Sequence, residues 1–261
     1  MVSLAQIDIL PVAYAVAFLT ALATYLLDRV KLRDRDLDPA DVLAHPQRAG
    51  FVREHKGMCR AIVLLSAGGA AGIAIATEPL AALLVPASLA GVLFYARPRD
   101  RSRWRPKDVL TLKNPSVACS IIAFAVALTL VYSHGRPMIE MLGAIWIPAI
   151  FLAQHVMADA ALCDIDDRIA DERYNTRTLA VHVGMARAKR VAVGIKVGAL
   201  VWPVASVLLG RLDASVTIVW VVLPAVFVFA LSKWWGGDYR DPIDLALPVI
   251  AAIAYGASFF G

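Results

Sequence analysis

Residues 115–133 read PSVACSIIAFAVALTLVYS, a stretch with no charged side chain that is long enough to cross a bilayer. A transmembrane helix needs about 20 mainly apolar residues, because each residue adds about 1.5 Å and the hydrocarbon core is about 30 Å thick. Seven other blocks of similar character lie along the chain. The eight blocks are 7–27, 60–77, 79–96, 115–133, 138–163, 190–210, 214–232 and 242–260.

The overall composition supports a membrane protein. Hydrophobic residues make up 59% of the chain, well above the roughly 45–50% that is usual in soluble domains. Only helices and closed barrels satisfy every backbone group in lipid, and the blocks lack the alternating pattern of barrel strands. The sequence therefore predicts an all-α, polytopic transmembrane bundle of about eight helices, built as a single membrane-embedded domain over residues 1–261.

The basic residues predict the orientation of the bundle. Most of the 26 lysines and arginines fall in four segments, at about 28–59, 97–114, 164–189 and 233–241. With eight helices these loops share one side, which the positive-inside rule makes cytoplasmic. We expect the protein to lie in a bacterial inner membrane. We also expect the three cysteines to be free thiols. Because topology explains the net charge of +5, no nucleic-acid partner is expected.

The third of these loops, at 164–189, has aspartates at the spacing of a helix. At 100° per residue, Asp164, Asp167 and Asp171 fall within about 60° of one another on a helix. Three carboxylates on one stripe repel each other unless a cation lies between them, and Mg²⁺ binds carboxylate and phosphate oxygens together. The spacing is equally compatible with a solvated helix end that carries a chance acidic run.

The first loop (28–59) and the second, which we call the middle loop (97–114), are also charged. Asp28 and Asp36 lie about 80° apart on an ideal helix, so a shared ligand would need a break there. A self-neutralising loop is the alternative. The cations of the middle loop could hold diphosphate oxygens, although membrane topology also explains them. Lys113 opens the fourth apolar block, close enough to the surface for its side chain to reach inward.

The third loop resembles the second aspartate motif of the UbiA superfamily of integral membrane prenyltransferases. That motif reads D-I-x-D-x-x-x-D, followed by a segment ending in T-L-x-V and a glycine. Lys113 resembles the lysine between the family's two motifs, and the run His45-Pro46-Gln47-Arg48-Ala49-Gly50 is similar to its R-P-x-x-[SA]-G. The matching residues of the third loop are Asp164-Ile165-Asp166-Asp167, Asp171, Asn175-Thr176-Arg177-Thr178-Leu179-Ala180-Val181 and Gly184.

The first motif departs from the family pattern N-D-x-x-D-x-x-x-D. Leu27 precedes Asp28, and Lys31 or Leu32 stands at the middle aspartate. A one-residue insertion would let Asp36 fill the last place. Only one apolar block precedes this motif, so the family's opening helix has no counterpart.

The resemblance implies a Mg²⁺-dependent prenyltransferase that joins a prenyl diphosphate to a lipophilic, sometimes aromatic, acceptor. It assigns one Mg²⁺ to Asp164, Asp167 and Asp171. It also assigns a weaker second site to Asp28 with Asp36. Catalysis would rest on Asp28 and the three third-loop aspartates. Substrate contacts would come from Lys113, Arg48, Arg177 and Asp36.

His155, inside the fifth apolar block, is a further candidate. It could orient or deprotonate an acceptor, or it could hydrogen-bond a neighbouring helix. Two other functions remain open. One is a class I terpene cyclase on the same scaffold, which needs no acceptor. The other is a non-catalytic relative that binds a lipid diphosphate.

Overall fold

The computed structural model describes residues 11–31, 37–97, 106–133, 137–209 and Val226. Across these residues the protein is all-α, without a strand. A 3₁₀ turn covers Pro106–Asp108. The helices, in chain order, are α1 (Val12–Val30), α2 (Pro39–Ala44), α3 (Pro46–Glu54), α4 (Lys56–Thr77), α5 (Pro79–Ala82), α6 (Leu84–Tyr95), α7 (Leu110–Tyr132), α8 (Met138–Asp166), α9 (Arg168–Arg173), α10 (Leu179–Val183), α11 (Met185–Ala199) and α12 (Val201–Leu208).

The described helices confirm the prediction of a helical membrane bundle. Five segments are long and apolar enough to cross a membrane, and Pro79–Tyr95 is a shorter apolar segment. Together they correspond to the first six predicted blocks. The last two blocks, 214–232 and 242–260, and the loop at 233–241 lie outside the described residues, apart from Val226. The five long segments are Val12–Val30, Lys56–Thr77, Leu110–Tyr132, Ile139–Asp166 and Met185–Leu208.

Two of the predicted blocks are interrupted, each four residues before a proline. Helix α5 ends at Ala82 and helix α11 ends at Ala199. Pro86 and Pro203 lack the backbone N–H that would bond to those two carbonyls, and a proline ring crowds the carbonyl four residues earlier. The prolines therefore account for both breaks.

Several helices continue beyond the predicted apolar limits. Helix α1 runs past 27 to Val30, α7 begins at Leu110 and not at 115, and α8 runs past 163 to Asp166. Apolar length marks only the part of a helix inside the hydrocarbon, while backbone hydrogen bonding extends into the polar interface. In consequence Asp28, Lys113 and Asp164 all belong to helix ends.

Small side chains bring α1 and α4 together along their length. The buried positions of α1 recur every three or four residues, as do those of α4, so each helix presents one continuous face. Small residues let two helix backbones approach closely where lipid supplies no hydrophobic force between helices. The buried residues are Ala13, Val16, Thr20, Ala23, Leu27 and Val30 on α1, and Cys59, Val63, Ser66, Ala70 and Ala74 on α4.

Helix α8 packs between α7 and α11. On the α11 side, Ala158 and Leu162 of α8 meet Ala188 and Ala192 of α11, and all four are fully buried. The hydroxyl groups of Thr77 and Tyr132 lie 2.8 Å apart and connect α4 with α7. The three cysteines are free thiols, as predicted.

Candidate active site

The third-loop aspartates lie around a break between α8 and α9. Asp164 is in the last turn of α8, Asp167 joins the two helices, and Asp171 is in α9. The Lys113 Nζ lies 2.7 Å from Asp164 Oδ1 and 3.4 Å from Asp171 Oδ2. The break does not separate Asp164 from Asp171, because both carboxylates contact the same ammonium group.

Asn114 completes the surroundings of Asp164. Its Nδ2 donates a hydrogen bond of 3.1 Å to Asp164 Oδ2, so the two oxygens of this carboxylate have different partners. Lys113, Asp164 and Asp171 are each less than a tenth exposed. Sequence reasoning missed Asn114, although a second polar residue beside Lys113 at the start of an apolar helix was a usable signal.

A histidine of the first loop contacts the side chain of Asp167. The Nε2 of His45, which lies between α2 and α3, is 2.7 Å from Asp167 Oδ1. The middle loop joins the same end of the bundle, because Lys107 Nζ lies 3.0 Å from both carboxylate oxygens of Asp41. The first three charged loops therefore meet at one end of the molecule.

The surroundings of Asp171 disfavour its ionised form. Burial raises the pKa of Asp171 to about 6, and the nearby carboxylates of Asp164 and Asp167 act in the same direction, while Lys113 opposes the shift. A buried carboxylate among like charges is costly to ionise unless further positive charge is present. The cluster is thus suited to bind a cation.

The C-terminus of α9 fixes the chain beyond Asp171. The N–H of Thr176 donates to the carbonyl of Asp171 over 2.8 Å, and the N–H of Asn175 donates to Glu172. Asn175 has a φ of 53°, a left-handed conformation that asparagine tolerates better than most residues. These bonds form a Schellman motif. After it, Thr178 caps α10 by accepting from the N–H of Val181.

The first-loop aspartates are paired with cations. Asp28 Oδ1 lies 2.5 Å from Lys31 Nζ, and Asp28 Oδ2 lies 3.6 Å from Arg29. Asp38 caps α2 by accepting from the N–H of Ala40, and it also lies 3.3 Å from Lys107. Asp36, the predicted partner of Asp28, lies outside the described residues.

A pocket of about 490 Å³ opens among α1, α2, α3 and the start of α4. Arg48, one of the predicted substrate-binding residues, lies on its wall. Cations outnumber carboxylates among the described residues of the lining. The charged lining residues are Arg29, Lys31, Arg48, Arg53 and Lys56, together with Asp28, Asp38 and Asp41.

Tyr95, at the end of α6, is near residues of both charged regions. Its phenol interacts electrostatically with Lys113 and Asp164 and also with Asp28 and Asp41. The pocket and the third-loop carboxylates are therefore neighbours. Nothing in the spacing of the motifs pointed to Tyr95.

Two further predicted site residues have different surroundings. Arg177 is exposed in the segment between α9 and α10. His155 is about 180° round α8 from Asp164 at 100° per residue. Its Nδ1 lies 3.1 Å from the carbonyl oxygen of Phe151, and its buried Nε2 has no hydrogen-bond partner among the described residues.

Polar contacts join α8 to the helices that follow it. Asp159 Oδ1 lies 2.6 Å from Nζ of Lys196 on α11. Trp202 on α12 donates to the side-chain oxygen of Gln154 over 2.8 Å. Asp159 and Gln154 thus connect α8 with α11 and α12.

The donor set suits magnesium, although it is not a closed protein cage. Within the described part of the chain, no three His, Cys, Asp or Glu side chains are grouped closely enough to hold a metal ion. Magnesium is usually bound through one or two carboxylates together with substrate phosphates and water. Carboxylates in net excess over cations fit that mode of binding.

Comparison with protein families identified the family of this chain. The model of the UbiA prenyltransferase family matches residues 3–253, which include both charged regions. No curated protein and no solved structure matches the chain.

Proposed function

The chain belongs to the UbiA prenyltransferase family, and we propose that it is a Mg²⁺-dependent intramembrane enzyme that transfers an isoprenyl chain from a prenyl diphosphate to a lipophilic acceptor, aromatic acceptors included. The convergence of Asp164 and Asp171 on Lys113 carries this proposal. It places buried charges of both signs at the end of an apolar bundle. Such an end can hold a charged headgroup while the helices accommodate an apolar tail.

The third-loop side chains would hold the metal. Asp164, Asp167 and Asp171 are the candidate ligands, and Asn114 and His45 fix the orientation of two of them. Bound Mg²⁺ would neutralise diphosphate oxygens and so make the diphosphate a better leaving group. Lys113 would supply fixed positive charge to the same oxygens as the allylic C–O bond breaks.

The transfer conserves atoms and electrons. The electron pair of the C–O bond leaves with the diphosphate, and the allylic carbon becomes cationic. A nucleophilic atom of the acceptor forms the new bond to that carbon and then loses a proton. The apolar helices exclude water, which would otherwise capture the cation.

The arrangement of the charged loops supports an orientation with these loops in the cytoplasm. The loops at 28–59, 97–114 and 164–189 carry most of the basic residues, and the contacts of His45 and Lys107 join these loops at one end. Positive loops remain cytoplasmic. We propose that the site faces the cytoplasm at a bacterial inner membrane.

The test uses the full chain in lipid nanodiscs. The protein is incubated with Mg²⁺ and labelled prenyl diphosphates of several lengths, with and without lipophilic phenols. Acceptor-dependent release of diphosphate, with a prenylated product, is the expected result. Release without an acceptor, giving a hydrocarbon or alcohol, would instead indicate a terpene cyclase. Binding without release would indicate a non-catalytic relative.

A pair of variants tests the assigned ligands. Asp167→Asn should lower turnover at least about 100-fold, since even the outer partners of metal ligands are worth about 10- to 100-fold. The adjacent Asp166→Asn is the matched control and should keep most of the activity. Full turnover by Asp167→Asn would contradict the assignment.

A further inference from the structure

The first-loop pocket differs from the third-loop cluster in the sign of its charge. Among the described residues of the third-loop cluster, Lys113 contacts the carboxylates of Asp164 and Asp171, and His45 contacts that of Asp167, so the three carboxylates outnumber the one lysine. Within the part of the chain that the structure describes, five cations and three carboxylates line the pocket, an excess of positive charge among these residues. A net negative cluster attracts metal ions, whereas a net positive pocket attracts phosphate oxygens.

The family resemblance assigns a second metal ion to Asp28. In the structure the carboxylate of Asp28 already contacts the ammonium group of Lys31. Lys31 Nζ lies 2.5 Å from its Oδ1, and Lys31 is only 5% exposed. Arg29 lies 3.6 Å from the other oxygen. A divalent ion at Asp28 would have to displace or adjoin these two cations, at a cost in Coulomb repulsion.

The backbone of Lys31 is held in a strained conformation. Its φ is 54° and its ψ is 161°, a region that residues with a Cβ rarely adopt and that costs about 1–3 kcal/mol. The N–H of Lys31 donates to Leu27, and Arg60 donates to the Lys31 carbonyl over 3.3 Å. Lys31 is therefore held at its backbone by these bonds and at its side chain by the ion pair with Asp28.

The other two carboxylates of the pocket also have a cationic partner. Asp38 and Asp41 both lie close to Lys107, at 3.3 Å and 3.0 Å. All three acids of the pocket are therefore balanced by lysine or arginine contacts. The cations of α3 and α4, including Arg48, Arg53 and Lys56, add positive charge to the same wall.

Building on the function proposed above, we propose that Lys31 takes the place of a metal ion at Asp28, and that the first-loop pocket binds diphosphate oxygens directly through its cationic side chains. Magnesium then belongs to the third-loop carboxylates alone. Tyr95 interacts electrostatically with Asp28 in one half of the site and with Asp164 in the other.

Metal binding tests the first half of the proposal. The purified full chain is titrated with Mn²⁺ alone, and binding is followed by electron paramagnetic resonance. Wild-type binding should be lost in Asp167→Asn and unchanged in Asp28→Asn. Lys31→Asp should gain a second Mn²⁺ site, and the double variant Lys31→Asp/Asp28→Asn should lose it again. Wild-type Mn²⁺ binding that depends on Asp28, or a Lys31→Asp variant that folds and gains no site, would overturn the proposal.

Anion binding tests the second half. Inorganic pyrophosphate is titrated into the full chain in nanodiscs of zwitterionic lipid with EDTA present, so that no divalent metal takes part. Binding should weaken about tenfold or more in Arg48→Gln, because one charge-assisted hydrogen bond is lost. Arg187→Gln, an exposed cation on α11 outside the pocket, should bind like wild type. Equal binding by both variants would overturn the proposal.

A membrane lipid offers similar phosphate chemistry. Repeating the titration in nanodiscs that contain phosphatidylglycerol distinguishes the two sources. Retained pyrophosphate binding supports a diphosphate site, whereas competitive loss would assign the pocket to lipid headgroups and overturn the proposal. These titrations involve neither a prenyl chain nor an acceptor. If Mn²⁺ and pyrophosphate bind as expected but no prenyl transfer occurs, only the proposed function is contradicted.

Discussion

Lys113 is a cation at the start of an apolar helix, and its two carboxylate partners explain how it is stabilised there. A charged group in such surroundings is costly unless it is paired. Asp164 and Asp171 supply that pairing across a break in the chain. In return, Lys113 permits two carboxylates to be buried side by side. One residue thus stabilises the site and supplies fixed positive charge for a departing diphosphate.

Replacing Lys113 separates these two roles. In Lys113→Met, Mn²⁺ should bind more tightly, because the competing ammonium is gone. Prenyl transfer should fall about 100-fold, because the leaving group loses a stabilising charge. Lys113→Arg should keep part of the activity. Parallel loss of Mn²⁺ affinity and turnover in Lys113→Met would indicate that Lys113 only maintains the structure.

At the scale of elements, the short helix α9 depends on its C-terminal motif. Asp171 contributes its side chain to the site and its carbonyl to the bond from Thr176. The left-handed Asn175 makes this turn possible. The sequence resemblance covers this segment without saying what the asparagine does. The structure supplies the reason, which is the backbone conformation at the end of α9.

Substitutions at Asn175 test that role. Asn175→Gly should leave the melting temperature nearly unchanged, because glycine adopts positive φ freely. Asn175→Val should destabilise the protein by about 1–3 kcal/mol, because a β-branched residue is strained there. Thermal unfolding in detergent measures both. Equal melting temperatures for the two variants would show that the turn can rearrange at no cost.

For the whole molecule, polar contacts between helices hold the bundle behind the site. The Asp159–Lys196 pair joins α8 to α11, and the Gln154–Trp202 bond joins α8 to α12. Helix α8 carries Asp164 at its end. The orientation of α8 against its neighbours therefore decides where Asp164 points.

Breaking this buried pair should be costly. Lys196→Met leaves the Asp159 carboxylate without its ammonium partner and should lower the free energy of unfolding by about 3–5 kcal/mol. Asp159→Leu in the same chain should restore most of the loss, since an apolar pair of similar volume packs in lipid-like surroundings. Urea unfolding in micelles gives both values. A double variant no more stable than Lys196→Met would contradict the pairing argument.

Much of the fold was determined by the sequence alone. Uninterrupted apolar length predicted the membrane helices, because lipid requires every backbone group to be bonded within its own segment. The breaks before Pro86 and Pro203 also had a local cause, although Pro115 and Pro148 lie inside α7 and α8 without interrupting them, so the proline positions alone do not predict which helices break. The aspartate spacing of the third loop likewise predicted a shared stripe, since helical periodicity is a local property.

The partners of the charged side chains were decided only by the tertiary structure. The spacing of Asp28, Asp167 and Asp171 does not reveal that their neighbours are Lys31, His45 and Lys113. His45 and Lys113 come from other helices or loops. Lys31 is close to Asp28 in sequence, but its position depends on a strained turn of the backbone. Helical periodicity fixes the direction of a side chain around its own axis. Whether a cation lies opposite depends on how distant segments pack, and that contact sets the sign of charge in each half of the site.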